Sequence, residues 1–504
     1  MNFSDMTALQ LGQYLHQKEI AVGEVLDAVF EQIDKREEEL HCYITLDREG
    51  VYRQAERIQS CILTGEIPSP LAGVPISVKD NLCTKGLRTT CGTAMLENFV
   101  PPYDASVVER LREAGMLIIG KTNMDEFAMG STTETSYFGV TRNPTDPSHV
   151  PGGSSGGSAA SVAAGEAFAA LGTDTGGSVR QPAAYCGVYG FKPTYGTVSR
   201  YGLIAYASSL DQVGFFTKDA ADSAALMQYT CIRDRKDATS VGLSDPGMLE
   251  KIWKAAISKE RQNQGELFDE STANRMKGKR IGILKEIPGV NVAPAIQKAV
   301  REVGAIFEGM GAEVEEYEPT MWEYGLCAYY TIAPAEASSN LGRYDGVKYG
   351  LRKDREELHD MYLATRTAGF GEEVRRRILL GTFVLSRSYY DAYYQKAMKV
   401  RRLLTDELGR AFGRFDLLLG PVSQQTAPKL GVCLQDPVQM YLGDLFTTPA
   451  NMAGMPAISI PCGCDEKGLP VGVQLMADRF RDKELLQTAY LCERKGISCR
   501  NTKQ

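Results

Sequence analysis

Two glycine-serine clusters and one lysine are the residues best placed for chemistry. The clusters are Pro151-Gly152-Gly153-Ser154-Ser155-Gly156-Gly157-Ser158 and Asp174-Thr175-Gly176-Gly177-Ser178, with Ser154 and Ser178 separated by 24 positions. A flexible linker is one reading of such a tract, but a linker separates autonomous patterns. Here an Ala-rich stretch, Ala159 to Leu171, follows at once, and a second Gly-Gly-Ser comes after it. A phosphate loop needs Gly-Lys-Ser/Thr to close it, and neither cluster supplies that; the strand-coupled GxGxxG of dinucleotide folds is absent too. Acyl transfer fits better. A serine nucleophile needs a base and a set of backbone N–H donors for the oxyanion, and a glycine-rich turn exposes such donors. No histidine lies in either cluster, and Lys79 ends the apolar run Val74 to Val78. Burial disfavours an ammonium, so a lysine there can act as the base that histidine usually provides.

The elements that must position these groups read as an α/β chain. Val22, Val25, Leu26, Val29, Phe30 and Ile33 form one apolar stripe at helical spacing, within a helical N-terminal part taken as residues 1–60. Gly73 to Asp80 reads as a buried strand ending in two charges, Ala105 to Ala114 as a helix, Met116 to Ile119 as the next strand and Gly120 to Asn123 as a turn. Ala159 to Leu171 reads as a small-residue helix. Strand, helix, strand at this spacing predicts a sheet with substantial parallel pairing and functional residues at strand ends. Residues 244–279 are polar and charged, a surface insertion in what is expected to be a single domain over 1–504, because pattern resumes with Arg280 to Leu284 and with helical periodicity over Ala293 to Met310.

Composition narrows the function classes. With 504 residues, 43% hydrophobic and 24% charged, the chain is ordinary globular protein, and its 50 glycines imply many tight loops. Lys plus Arg total 56 against 63 Asp plus Glu, a formal charge of −7, which makes it a poor partner for polyphosphate on its own. The N-terminus lacks a signal-peptide pattern and no window holds 18 consecutive apolar residues, so a cytoplasmic protein with no membrane association is expected. Twelve scattered cysteines in such a chain read as thiols rather than a disulfide framework, and four histidines (16, 41, 149, 359) without helical pairing give no expectation of a metal site.

Lys79 in Gly-Val-Pro-Ile-Ser-Val-Lys-Asp, Ser154 in Gly-Gly-Ser-Ser-Gly-Gly-Ser and Ser178 in Asp-Thr-Gly-Gly-Ser-Val-Arg-Gln-Pro-Ala together resemble the amidase signature family. The resemblance implies that family's fold, one large mixed β-sheet covered by helices on both faces. It implies a Ser–cis-Ser–Lys triad with Ser178 as nucleophile, Ser154 as the bridging serine and Lys79 as base, and an oxyanion hole from the amides of Thr175, Gly176, Gly177 and Ser178. Asn123 to Ser131, Phe138 to Pro144, Lys192 to Val213, Glu336 to Leu341, Gly381 to Phe383 and Asp444 to Pro449 carry the likeness along nearly the whole chain. These blocks are similar to one branch of the family, the glutaminase subunits of tRNA-dependent amidotransferases. That branch implies glutamine as substrate, bound by Tyr329 or Tyr330, Arg377 and Asp444. An arginine fork suits an α-carboxylate and a carboxylate suits an α-ammonium; on the residues alone, Arg375-Arg376-Arg377 reads as a solvated helix face. The branch also implies a heterotrimer with B and C subunits. In it this chain carries no cofactor, the B subunit holds tRNA and uses ATP and magnesium, and the complex acts as a ligase with glutamine as amido donor. A free-standing amidase acting on small amides is the alternative.

Overall fold

The computed structural model describes residues 3–258 and 276–496. Within them eleven strands form one sheet in the order β1-β3-β2-β4-β6-β5-β10-β11-β9-β7-β8. The strands are β1 (Tyr43–Leu46), β2 (Pro75–Lys79), β3 (Leu117–Thr122), β4 (Ala169–Asp174), β5 (Tyr189–Lys192), β6 (Gln212–Thr217), β7 (Arg280–Leu284), β8 (Glu313–Tyr317), β9 (Leu417–Pro421), β10 (Ala457–Cys464) and β11 (Pro470–Ala477). Pairings of β2 with β3 and β4, and of β7 with β8 and β9, are parallel, whereas the others are antiparallel, so the sheet is mixed as expected. Strands β2, β3 and β4 are buried along their whole length, the pattern of parallel strands at a sheet centre.

The N-terminal part holds α1 (Ala8–His16), α2 (Val22–Leu40) and α3 (Arg48–Thr64). In α2 the six stripe residues are all buried, as the periodicity predicts. The part is not wholly helical, because β1 enters the sheet between α2 and α3, antiparallel to β3. Helix α4 (Ser106–Glu113) falls inside its expected bounds, as does the helix Pro294–Gly309. The first half of the 244–279 stretch is a helix, Gly247–Ile257, that buries Leu249, Ile252, Trp253 and Ala256; residues 259–275 of that stretch lie outside the described residues.

Two local expectations need correction. Gly120 to Thr122 is not a turn but the end of β3. Glycine is required there by the neighbouring strand, since a Cβ on Gly120 would lie 2.5 Å from the Thr45 carbonyl oxygen, and Lys121 finds buried acceptors instead of solvent. Ala159 to Leu171 is not one helix. Helix α5 (Gly156–Ala163) stops at Gly165, which takes φ +75°, and the chain re-enters the sheet as β4. Alanine content favours helix, but a glycine in the left-handed region ends one.

Candidate active site

Strands β2 and β4 lie side by side in parallel, which brings the end of β2 to the loop that leaves β4. Lys79, the last residue of β2, is fully buried. Its Nζ donates to Ser154 Oγ at 2.8 Å, to Thr173 Oγ1 at 2.9 Å and to the Thr173 carbonyl at 3.4 Å. Burial lowers its pKa to about 7, against the opposing pull of Asp125, Cys91, Asp174 and Asp211. Near neutral pH a large fraction of this amine is therefore unprotonated and able to accept a proton.

Ser154 is also fully buried, and the Gly153–Ser154 peptide is cis. Its glycine neighbours are dictated by close approach. A Cβ on Gly153 would sit 2.1 Å from Asp125 Oδ2, and one on Gly152, at φ +85°, 2.7 Å from Pro182 Cα. The Gly153 N–H donates to Gln181 Oε1 at 3.0 Å, and the Ser154 carbonyl accepts from the Asp125 N–H at 3.2 Å. The Asp125 carboxylate accepts from the N–H groups of Thr132 and Thr133 and from Thr135 Oγ1, which pins the 131–135 loop over the serine.

Ser178 sits in the loop between β4 and α6 (Arg180–Cys186) and is 9% exposed, so a small opening reaches it. No hydrogen bond joins its hydroxyl to the Lys79–Ser154 pair among the described residues. The loop is shaped by Asp174. Burial would raise this carboxyl, but the Arg180 guanidinium beside it overrides that and holds its pKa at about 2. Arg180 Nη2 and Nε donate to Asp174 at 3.0 and 3.1 Å, Asn451 Nδ2 donates at 2.9 Å, and Gly177 N–H donates to Oδ1 at 2.9 Å. The Gly177 amide is thus committed to Asp174, whereas no described group accepts from the N–H of Gly176 or Ser178. The two glycines also make room for neighbours. A Cβ on Gly176 would meet the Tyr329 hydroxyl at 2.5 Å, and one on Gly177 would meet Thr447 Oγ1 at 2.3 Å.

That contact leads to the other expected residues. Tyr329 and Tyr330 lie on the helix Trp322–Asn340 with rings packed edge to face, 4.9 Å between centroids. Tyr330 Oη donates to Asp444 Oδ2 at 2.6 Å and Ser131 Oγ donates to Oδ1 at 3.2 Å; burial lifts the Asp444 pKa to about 7 despite these bonds and the nearby Arg377. Arg377, on the helix Glu372–Leu385, is 3% exposed, which overturns the solvated-face reading for this member of the arginine run; Arg375 and Arg376 are exposed. Its Nε donates to Glu373 Oε1 at 2.8 Å and its Nη1 to Tyr206 Oη at 2.7 Å, and it lies 5.5 Å from the Tyr330 ring centroid and 5.6 Å from that of Tyr441. Two edges of the guanidinium are therefore already engaged.

Sequence reasoning missed Thr173, Asp125, Arg180, Tyr206 and Glu373. Only Glu373 carried a usable local signal, a carboxylate four residues before Arg377 on one helix. Thr173 and Asp125 act through tertiary contacts that no spacing announces.

The chain is 52% identical over 494 residues to the A subunit of the glutamyl-tRNA(Gln) amidotransferase of Lachnospira eligens, covering 98% of each chain. It is 50% identical over 503 residues to the corresponding protein of Agathobacter rectalis, covering all of this chain and 96% of the other. Among solved structures, the A subunit of the Thermotoga maritima glutamyl-tRNA(Gln) amidotransferase superposes with a TM-score of 0.75 at 40% identity over 97% of this chain and 94% of that one. The native peptide amidase from Stenotrophomonas maltophilia gives 0.77 at 26% identity, over 98% and 97% of the two chains. The family model described as Amidase matches residues 24–486, and the chain belongs to the amidase family.

Proposed function

We propose that this chain is the glutaminase subunit of a tRNA-dependent amidotransferase, hydrolysing glutamine to glutamate and ammonia that a partner subunit uses to convert Glu-tRNA(Gln), Asp-tRNA(Asn) or both to their amidated forms. The observation that carries the chemical part is the 2.8 Å bond from a fully buried lysine to a fully buried serine, with a second serine in the glycine-rich loop that leaves the neighbouring strand β4. In the reaction, neutral Lys79 accepts a proton from Ser154 Oγ as Ser154 takes one from Ser178, whose Oγ attacks the glutamine Cδ. The tetrahedral oxyanion is held by amides of the Thr175 to Ser178 loop. With Gly177 committed to Asp174, those of Thr175, Gly176 and Ser178 are the available donors, each contributing about 3 to 4 kcal/mol by analogy with other acyl-transfer sites. The proton returns to the leaving ammonia, and water, deprotonated through the same relay, cleaves the γ-glutamyl ester to release glutamate.

Glutamine is oriented by its charged ends. Asp444 receives the α-ammonium and Arg377 the α-carboxylate, the arginine's remaining edge doing so while Glu373 and Tyr206 fix its plane. Tyr330 holds Asp444, and Tyr329 lines the wall next to Gly176.

The partner reading is supported by the names of the relatives, which are subunits, and by the surface of the helix that carries Arg377. Further along, that helix leaves Leu379, Leu380 and Phe383 exposed at 71%, 42% and 43%, next to Tyr389, Tyr390 and Tyr393, an apolar patch of the kind that marks a protein interface. B and C subunits would cover it, the B subunit binding tRNA, ATP and magnesium, since a chain at −7 is ill suited to grip tRNA alone. Among the described residues no helix is long and apolar enough to cross a membrane. The test is ammonia release from glutamine by the chain alone and with its B and C subunits, followed by transfer to misacylated tRNA. The reading expects glutaminase activity to rise on assembly and amidated tRNA to form only in the complex; full activity on small amides by the isolated chain, unchanged by the partners, would overturn it.

A further inference from the structure

Against α5 lies a second cluster of reactive groups that the glutaminase chemistry does not use. Three sequence-distant segments meet there. Glu37 comes from the last turns of α2, Cys42 from the left-handed reversal at His41 (φ +52°) that feeds β1, and Glu166 from the turn between α5 and β4. A Glu37 carboxylate oxygen, the Cys42 Sγ and a Glu166 carboxylate oxygen all lie within 4.8 Å of one another.

The backbone fixes this arrangement. The N–H groups of Tyr43 and Cys42 donate to Glu37 Oε1 and Oε2 at 2.8 and 2.9 Å, which folds that carboxylate over the reversal. The Cys42 carbonyl is held by the Asn123 N–H at 2.8 Å, the Glu166 N–H donates to the Ser161 carbonyl at 2.8 Å, and Tyr43 Oη donates to the Glu166 carbonyl at 3.3 Å. Yet the Glu166 side chain, 0% exposed, has no N–H or O–H donor on either carboxylate oxygen; its one close polar contact is the Cys42 thiol. A buried carboxylate served only by a thiol, a weak donor, is costly, since buried polar groups are otherwise well hydrogen-bonded. Protonating Glu166 would remove its charge and still leave both oxygens without an N–H or O–H donor.

We propose that Glu37, Cys42 and Glu166 form a binding site for one divalent transition-metal ion, of the zinc class, that ties α2 and β1 to the α5–β4 unit. A thiolate with two carboxylates suits a borderline-soft cation, and small side-chain rotations bring three atoms this close to the usual metal–ligand lengths of about 2.0 to 2.3 Å, with water as fourth ligand. The cation gives Glu166 a strong partner in place of the weak thiol contact. Glu37 is half-buried, which gives the ion a route in from solvent. The site is structural. It braces the segment that carries Ser154 ahead of α5 and the Thr175–Ser178 loop after β4, and touches neither.

Histidine pairing is the signal that sequence inspection looks for, and this donor set has none. Its members are brought together only by the β1–β3 pairing and the α5–β4 turn.

The test uses the full chain, stripped with a chelator and titrated with zinc sulfate or cobalt chloride. We expect one equivalent bound by elemental mass spectrometry, a raised melting temperature, and for cobalt a near-ultraviolet thiolate-to-metal absorption band. Cys42→Ser abolishes the band. Glu166→Gln, which keeps shape and removes charge, weakens zinc binding at least about tenfold while the circular dichroism spectrum is unchanged. Cys464→Ser, at an exposed position, alters neither. Failure to bind zinc above background, a cobalt band lost in Cys464→Ser but kept in Cys42→Ser, or unaltered affinity in Glu166→Gln would each overturn the site, and the last reading stands even if Cys42→Ser does not fold.

Discussion

Lys79 and Lys121 are two fully buried lysines on adjacent parallel strands, and they face opposite kinds of partner. Lys121 pairs with Asp80 Oδ1 at 3.3 Å and donates to the Leu82 carbonyl at 2.7 Å and Thr89 Oγ1 at 2.8 Å. Lys79 precedes Asp80 in the chain but has no carboxylate in ion-pair contact among the described residues; its partners are the hydroxyls of Ser154 and Thr173 and a carbonyl. Successive residues of an extended chain point to opposite sides, so the Lys79-Asp80 dipeptide sends its acid to a different lysine. Burial lowers both amines. What suits one to the proposed role of base is the chemistry it faces, a hydroxyl that can relay a proton instead of a charge that only neutralises it.

The sharpest way to break this comparison is to replace each lysine by methionine. Lys79→Met is expected to lower glutamine hydrolysis by about 10³-fold, within the usual range for loss of a general base, in a steady-state ammonia assay. It should not lower thermal stability. With its folded pKa near 7 and its unfolded pKa near 10.5, the unfolded state binds more protons between those values, so stability rises with pH through that window and the buried amine is a burden below it. Lys121→Met should do the reverse. It leaves Asp80 buried and unpaired, which costs about 3 to 5 kcal/mol in denaturant unfolding, while the folded fraction keeps its activity. Equal effects of the two substitutions on activity would erase the distinction.

A smaller effect is expected at the glutamine anchor. Arg377→Lys loses the planar fork that Glu373 and Tyr206 hold and should raise KM for glutamine about 10- to 100-fold with little change in kcat, a loss of about 1.5 to 3 kcal/mol in charged hydrogen bonding. A rise in KM that failed to appear, with kcat falling instead, would place Arg377 with the reacting atoms.

The pH dependence is the finest probe. Lys79 must be neutral and Asp444 ionised, and both titrate at about 7 in the free chain. The logarithm of kcat/KM should therefore climb with a slope approaching two below about pH 7 and level off above it. Asp444→Asn should reduce the limiting slope to one.

Much of this site was legible because its chemistry depends on residue type and order. Two Gly-Gly-Ser loops and a strand-end lysine specify donors, hydroxyls and a base before the fold is known, and α2 could be read from its stripe because burial on one face imposes a period. The remainder depends on what packs where. Gly120 looks like a turn glycine until β1 is laid against it, Gly165 alone decides where α5 ends, and Arg377 differs from Arg375 and Arg376 only in the face of the helix it occupies. Thr173, which accepts from both Lys79 and Asn81, is one threonine among many until β2 and β4 are set side by side.

The central claim is that Ser178, not the lysine-bonded Ser154, becomes acylated. The most direct measurement is acid quenching of the enzyme during glutamine turnover, followed by peptide mass spectrometry to locate the γ-glutamyl adduct. The expected result is an adduct on the peptide containing Ser178 that disappears in Ser178→Ala; an adduct on Ser154, or one that persists in Ser178→Ala, would contradict it.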